Sequence, residues 1–384
     1  MNPLFARLST SIFEHMSALA RERRAVNLGQ GFPDFGWPEA VLDRAAEAVR
    51  GGWNQYPPMR GIPELREAVA AHYRARQSLP VDAEQVTITS GATEALASSL
   101  MALIEPGDEV VLFQPLYDAY LPLVLRAGGV PRFVRLTPPD WRIDEEALAA
   151  AFTDRTRIVL FNNPHNPTAR VFDADELRLL AGACVRAGAI ALSDEVWEHV
   201  LFDGRAHVPL ASLPGMAERT VKIGSAGKIF SLTGWKVGWI VAPPALCESI
   251  ARAHQFVTFS TPPNLQNAVA WGLGHAMADV AQTCAAFAAA RDRLRDGLAA
   301  EGFAPLPAQG TYFLSLDLAA SGIAAGDVEF CEQAVKQAGV AAIPVSAFYA
   351  EDPVTNVVRL CFAKRAETLD DGVARLGRAR ALFA

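Results

Sequence analysis

Two lysines lie in a run of small and aromatic residues, Ser225–Trp239, with the sequence SAGKIFSLTGWKVGW. Lys228 comes four residues after Gly224, just beyond the apolar segment Val221–Ile223, and Lys236 follows in a Gly-Trp-Lys-Val-Gly-Trp frame. Small neighbours let a bulky group approach a lysine amine, and burial lowers the amine pKa towards the neutral, nucleophilic form. A surface lysine in a glycine-rich loop would explain Lys228 in isolation. A chemical role for Lys228 therefore depends on which other residues of the chain would lie near it.

Short apolar strands alternate with longer helical patterns from residue 86 to residue 223. This alternation predicts an α/β fold, with a mostly parallel sheet covered by helices on both faces. A long helical region over 265–300 leaves this part of the chain, and shorter strands and helices follow it. We predict three parts: an arm over 1–36, with a helix over 9–22, that joins the small domain; a large domain over 37–280; and a small α+β domain over 281–384.

Polar or glycine-containing clusters follow the predicted strands. In a doubly wound sheet, ligands bind beyond the carboxyl ends of the strands, so these clusters are expected to line one site. The clusters are Ser90–Thr93, Tyr117, Asn162–Asn166, Asp194 and Ser225–Lys228.

Each cluster suggests one part of a ligand. The helix start at Ser90–Thr93 offers free N–H groups to a phosphate, although a serine or threonine helix cap explains it equally well. Asp194 suits a protonated ring nitrogen, but a helix cap is an equal alternative. Tyr117 offers a flat face for an aromatic ring, or is simply a core residue. An amine, a carboxylate, a stacking ring and a phosphate cradle together describe a site for pyridoxal 5′-phosphate, with Lys228 forming the Schiff base.

The chain resembles the class I pyridoxal-phosphate aminotransferases of fold type I, in the subgroup of methionine and kynurenine/glutamine aminotransferases. The motifs run in order from VNLGQGFPDF through NQYPP, GDEV, NNPHNPTA, SDEVWEH, SAGKIFSLTGWKVGW and GTYFL to VRLCFAK. The resemblance implies a seven-stranded sheet and a homodimer with shared active sites.

The resemblance also implies roles for individual residues. Lys228 would be the Schiff-base lysine, and Arg359 would bind the substrate α-carboxylate, a task suited to guanidinium geometry. The cofactor would be held by Gly91, Ala92, Thr93, Tyr117, Asn166, Asp194, Trp197, Ser225, Lys236 and Tyr56 of the neighbouring subunit. The substrate would contact Gly31, Asn166 and Arg359, with Phe13, Phe259, Ser260 and Phe348 near its side chain.

Two positions depart from the family pattern. Ala169 stands where many relatives carry glycine after NPT, and we expect only a local backbone adjustment there; the other position is that of Trp197. Relatives have tyrosine in SDEVY, donating a hydrogen bond to the cofactor's 3′-oxygen, where this chain has Trp197. Indole N–H donates from a different place and has no ionisable hydroxyl. We therefore expect the bound cofactor's absorbance to titrate differently in this protein and in Trp197→Tyr.

Composition limits the other possibilities. A net charge of −7 over 384 residues argues against nucleic acid or an anionic membrane as a partner. Five scattered cysteines, without a CxxC pair, argue against a disulfide framework or a zinc site and suggest a reducing compartment. The start lacks the apolar segment of a signal peptide, so we expect a cytoplasmic protein.

The expected reaction is transfer of the α-amino group of an apolar or amphipathic amino acid to a 2-oxo acid. Candidate donors are methionine, aromatic amino acids, leucine, glutamine and kynurenine, because aromatic residues would line the pocket. A β-lyase acting on cysteine S-conjugates or cystathionine is the alternative enzyme, and a non-catalytic regulator that binds the cofactor is a more distant one. Ser225-Ala226-Gly227-Lys228 also fits SxxK, but the companion motifs of serine enzymes are missing.

Overall fold

The computed structural model describes residues 3–7 and 10–383. The helices, in chain order, are α1 Pro3–Arg7, α2 Ile12–Arg23, α3 Glu39–Arg50, α4 Pro63–Gln77, α5 Gly91–Leu103, α6 Tyr120–Ala127, α7 Glu145–Ala151, α8 Ala174–Ala187, α9 Ala226–Ile229, α10 Pro244–Val257, α11 Pro263–His275, α12 Met277–Ala300, α13 Asp327–Gln333 and α14 Ala366–Arg380. The strands are β1 Val26–Asn27, β2 Val86–Thr89, β3 Glu109–Gln114, β4 Val130–Arg135, β5 Thr156–Asn162, β6 Ile190–Asp194, β7 Thr220–Ser225, β8 Gly238–Val241, β9 Ala304–Pro305, β10 Phe313–Asp317, β11 Val340–Ala341, β12 Ile343–Pro344 and β13 Val357–Cys361.

The main sheet has seven strands in the order β2-β8-β7-β6-β5-β3-β4. Strand β8 runs antiparallel to both of its neighbours, and the other pairs are parallel. Strands β2, β3, β6, β7 and β8 are buried along their whole length, as expected when helices cover both faces. The mostly parallel sheet predicted from the sequence is confirmed.

A second, four-stranded antiparallel sheet, in the order β12-β13-β10-β9, comes from the C-terminal part of the chain. Strand β1 pairs in parallel with β11 and so ties the N-terminal segment to this part. The domain boundaries at residues 36 and 280 stay a prediction.

Several elements differ from the sequence prediction. The helix predicted over 9–22 runs over Ile12–Arg23, with Ser11 as its cap, and Ser9 lies outside the described residues. The helical region predicted over 265–300 consists of two helices, α11 and α12, separated at Ala276. Within the described ranges, we find no helix with the length and hydropathy needed to span a bilayer.

Candidate active site

A cavity of about 280 Å³ lies beyond the carboxyl ends of the parallel strands. It brings together side chains from β6, β7, β13 and the starts of α5 and α9. The predicted site residues that line it are Phe13, Gly31, Gly91, Ala92, Thr93, Tyr117, Asn166, Asp194, Trp197, Ser225, Lys228, Lys236 and Arg359.

Lys228 lies in the one-turn helix α9, directly after strand β7. Its amine donates a hydrogen bond to the Tyr312 hydroxyl at 3.1 Å and lies 4.8 Å from the centre of the Trp197 ring. Burial lowers the pKa of Lys228 to about 8. A substantial fraction of this amine is therefore neutral near pH 8, as a nucleophile or proton acceptor must be.

Asp194 ends strand β6 as a buried carboxylate. It accepts hydrogen bonds from the Tyr120 hydroxyl at 2.6 Å and from the Val196 backbone N–H at 3.3 Å. Burial raises the pKa of Asp194 to about 6. Among the described residues, no lysine, arginine or histidine nitrogen forms an ion pair with it. A buried carboxylate in this state suits a cationic group on a ligand.

The start of α5 provides a compact set of donors. Gly91 adopts φ +75, and its N–H and those of the next residues belong to the unpaired first turn of the helix. A Cβ on Gly238 would lie 2.8 Å from the Gly91 carbonyl carbon, so glycine lets β8 pass close beside this turn. The Lys236 amine lies next to Gly91, and Ser225 lines the same wall. Backbone N–H groups, a hydroxyl and a cation suit a phosphate group.

Arg359, from strand β13, also lines the cavity, with 1% of its surface exposed. It donates to the Asn166 side-chain oxygen at 2.8 Å and to the Gly29 carbonyl at 3.2 Å, and its Nε has no hydrogen-bond partner among the described residues. Burial lowers its pKa to about 10, which leaves it cationic at neutral pH. A buried guanidinium with a free N–H suits a carboxylate ligand.

These features fit pyridoxal 5′-phosphate. The N-terminus of α5, Ser225 and Lys236 would hold the phosphate, Asp194 would face the ring nitrogen, and Lys228 would be the attachment point. When bound, this cofactor supplies an electrophilic carbon and a ring that accepts electron pairs. The decisive feature of the fit is Asp194, a buried acid that forms no ion pair with any described residue.

Comparisons with known proteins agree with this chemistry. The family model "Aminotransferase class I and II" matches residues 23–376. The chain belongs to the class I and II aminotransferases.

Three relatives show which members of the family this aminotransferase is similar to. The structure of N-succinyldiaminopimelate aminotransferase from Mycobacterium tuberculosis has a TM-score of 0.96 and 43% identity, covering 99% of this chain and 100% of that one. Methionine aminotransferase of Escherichia coli (strain K12) is 40% identical over 98% of both chains. Kynurenine–oxoglutarate transaminase of Dictyostelium discoideum is 37% identical over 94% of this chain and 92% of the relative.

The family and subgroup predicted by resemblance are thus confirmed, and with them the dependence on pyridoxal 5′-phosphate. The enzyme acts on amino acid and 2-oxo acid substrates, as members of this family do. All three relatives are aminotransferases, which favours amino transfer over the β-lyase alternative.

Four predicted residues of the aminotransferase lie away from the cavity wall. Phe348 is buried behind Arg359, with its ring centre 5.1 Å from the guanidinium carbon, and packs on Phe13 at 5.5 Å. Tyr56 and Phe259 are exposed and contact each other edge to face at 5.5 Å. Ser260, next to Phe259, is half-buried outside the cavity. Within one subunit, therefore, Tyr56, Phe259 and Ser260 do not reach the site.

Several residues in the cavity wall, or in contact with it, were not predicted for the aminotransferase. Tyr120 binds Asp194, Tyr312 binds Lys228, and the Phe313 ring lies 3.9 Å from the Arg359 guanidinium carbon. Asp118 also lines the cavity. Tyr120 and Asp118 stand beside Tyr117 in the sequence YDAY, and Tyr312 and Phe313 stand within the motif GTYFL. Their positions in or next to identified motifs were the signal that could have found them.

Proposed function

We propose that this aminotransferase takes its amino group from α-amino acids with apolar or amphipathic side chains. Methionine, aromatic amino acids, leucine, glutamine and kynurenine are the candidate donors, and a 2-oxo acid is the acceptor. The reaction would run in two half-reactions, the first with the donor and the second with the acceptor. The observation that carries the proposal is the distribution of charge on the cavity wall.

The cavity wall holds three cations, Lys228, Lys236 and Arg359, and each has a role in the proposed site. Among the described lining residues no further cation remains for a carboxylate on the substrate side chain. Asp118 adds a negative charge there; burial raises its pKa, and the positive charge of Arg359 partly offsets this effect. A second carboxylate on a donor would meet this anion without a counter-charge.

Residues of the chain would carry the proton transfer. Arg359 would bind the donor α-carboxylate, a contact that places the α-carbon towards Lys228. The neutral Nζ of Lys228 would accept the α-proton and later return a proton, acting first as base and then as acid. Its pKa of about 8 suits both roles near neutral pH.

We also propose a homodimer with shared sites. Tyr56, Phe256 and Phe259 are 86%, 85% and 43% exposed, an unusual amount for large apolar side chains of one region. A second copy covering this surface would bury them and could bring Tyr56, Phe259 and Ser260 to the neighbouring cavity, as the resemblance implies.

The substrate proposal is tested by measuring kcat/KM for a panel of amino donors with a fixed 2-oxo acid. We expect methionine to exceed aspartate by about 100-fold, since a carboxylate left unpaired costs several kcal/mol. Asp118→Asn should narrow this difference by about tenfold, and Asp43→Asn, on the exposed surface of α3, should leave it unchanged. A higher kcat/KM for aspartate than for methionine would contradict the proposal.

A second candidate donor is N-succinyldiaminopimelate, because the relative with 43% identity acts on it by name. It belongs in the same panel. An absorbance scan over roughly 330–430 nm after adding each donor reports the first half-reaction without an acceptor. Spectral change with N-succinyldiaminopimelate alone would replace the apolar-donor proposal by this one.

A further inference from the structure

Tyr312 contacts the amine of Lys228 but has no role in the chemistry described above. It directly precedes strand β10, with 1% of its surface exposed, and its hydroxyl lies 3.1 Å from Lys228 Nζ. The same hydroxyl lies 2.6 Å from the Gly31 carbonyl oxygen. One phenol oxygen therefore joins the catalytic lysine to the N-terminal segment.

The direction of these two hydrogen bonds follows from the donors available. A carbonyl oxygen can only accept, so the single hydroxyl proton of Tyr312 goes to Gly31. Burial raises the pKa of Tyr312 well above its usual range, so this proton stays on the phenol at neutral pH. The remaining lone pairs of the oxygen can only accept from Lys228.

This arrangement matters for the neutral amine. A phenol that donated to Nζ would occupy the lone pair that a base needs. Because Tyr312 accepts an N–H instead, the amine lone pair stays free and points away from the phenol. The ring of Tyr312 is fixed by Trp197, 4.4 Å away edge to face, and by Phe313 at 5.0 Å.

We propose that Tyr312 is a positioning residue that holds the free Lys228 amine by an N–H and leaves its lone pair directed at the substrate α-proton. This inference rests on the proposed role of Lys228 in proton transfer. It predicts that the phenol oxygen, not the ring, is the part of Tyr312 that the reaction needs.

Tyr312→Phe removes only the hydroxyl and is compared with Tyr349→Phe. Tyr349 also donates to a backbone carbonyl, that of Leu136 at 2.7 Å, and within the described part of the chain no lysine hydrogen-bonds to its hydroxyl. The first measurement uses the full chain without cofactor: acetylation of Lys228 by acetic anhydride, followed by mass spectrometry across a pH series. Only the neutral amine reacts, so the midpoint reports its protonation.

The other titratable groups near Lys228 are the same in both variants and in the wild type, so they cannot account for a difference in the labelling midpoint. They are Asp194, Lys236, Arg359 and Cys361. Because an accepting oxygen favours the charged amine, its loss should move the labelling midpoint down by about 1 pH unit. Tyr349→Phe should leave the midpoint in place.

The second measurement uses the cofactor-loaded enzyme. Tyr312→Phe should lower kcat by about 10- to 100-fold, with KM for the donor within about threefold, because the amine is less well placed. The isotope effect with an α-deuterated donor should rise. Should Tyr312→Phe fail to fold, 4-fluorophenylalanine at position 312 keeps the ring, replaces the hydroxyl by a much weaker acceptor and should shift the midpoint in the same direction.

A labelling midpoint and an isotope effect equal to those of Tyr349→Phe would overturn the inference. A shifted midpoint in a protein that transfers no amino group from any donor would instead refute the proposed function while leaving the Tyr312–Lys228 contact established.

Discussion

At the scale of single residues, one physical cause acts on the two central groups in opposite directions. Burial lowers the pKa of Lys228 to about 8 and raises that of Asp194 to about 6, because it disfavours the charged form of each. The amine thereby becomes available as a base. The acid is left in an environment that a ligand cation would improve, so cofactor binding and Asp194 ionisation are coupled.

We predict that Asp194→Asn stabilises the cofactor-free protein at high pH. The pKa of Asp194 is higher in the folded state than its unfolded value of about 3.9, so its favourable contribution is present below pH 4 and lost as pH rises through about 6. The melting temperature of the variant should be about 3 °C above that of the wild type at pH 8. At pH 4 the two proteins should have the same melting temperature.

The matched comparison is the same pair of proteins loaded with cofactor at pH 8. Cofactor binding should raise the melting temperature of the wild type more than that of Asp194→Asn, because only the carboxylate can pair with a cationic ring. A difference in melting temperature that is independent of pH would contradict the explanation based on burial.

Residues such as Lys228 and Asp194 could be predicted because each stands in a local motif after a strand. Tyr120 and Tyr312 could not be assigned contacts in this way, since 74 and 84 residues separate them from Asp194 and Lys228. Their partners are set by the packing of distant elements, which a single sequence does not specify.

At the scale of elements, the side chains at the end of β6 and just after it point into two different parts of the protein. Asp194 and Trp197 line the cavity, whereas Glu195 and Glu198 are buried around Lys222 of β7. The Lys222 amine contacts Glu195 and lies 2.8 Å from Glu198, and His207 also contacts Glu195. Glu195, Glu198 and His207 are typical metal ligands, but Lys222 supplies the positive charge between the two carboxylates.

We predict that Lys222→Met destabilises the protein strongly, because it leaves two buried carboxylates without their cation. A loss of about 3–5 kcal/mol corresponds to a fall of about 4–6 °C in melting temperature for a chain of this size. The triple variant with Glu195→Gln and Glu198→Gln should recover most of this loss.

The control is Lys336→Met, which removes an exposed lysine paired with Glu332 at 2.6 Å on one helical segment. Surface pairs contribute little, so its melting temperature should change by less than about 1 °C. Equal effects of the Lys222 and Lys336 substitutions would show that the buried cluster does not hold this segment.

Helices and strands were predicted where the apolar residues follow a clear period, and they were missed where that pattern is interrupted. Strand β8 lies within the motif GWKVGWIV, whose glycines and lysine interrupt the apolar pattern, and its antiparallel direction has no local signal. The break at Ala276 lies in a continuous helical pattern. It allows α11 to pack on α3 and α4 while α12 packs on α14, a choice made by tertiary contacts.

At the scale of the whole molecule, the parallel strands bring five polar segments to one edge of the sheet. These segments are separated by up to about 140 residues in the sequence, yet they line one cavity. Strand direction alone brings such ends together, which is why a common location could be expected from the sequence. The exposed Tyr56 and Phe259 lie outside that cavity, so only a second subunit can give them the proposed role.

Mixing two defective proteins tests the shared site. Lys228→Ala removes the base, and Tyr56→Ala removes the residue proposed to cross to the other subunit. If Tyr56 acts across the interface, one of the two sites in each hybrid dimer has both residues intact. Since half of randomly formed dimers are hybrids, re-associated mixtures should regain about a quarter of the wild-type activity.

If Tyr56 acted within its own subunit, hybrids would contain no intact site and mixing would give only the average of the parents. A monomeric mass by analytical ultracentrifugation at the assay concentration would also contradict the proposed homodimer.

The central claim is that Lys228 is the amine that carries the cofactor. The most direct measurement is to load the purified protein with pyridoxal 5′-phosphate, reduce it with borohydride, digest it and identify the modified lysine by mass spectrometry. We predict that the label lies on Lys228 and disappears in Lys228→Ala. A label on Lys222 or Lys236, or unchanged labelling in Lys228→Ala, would contradict the account.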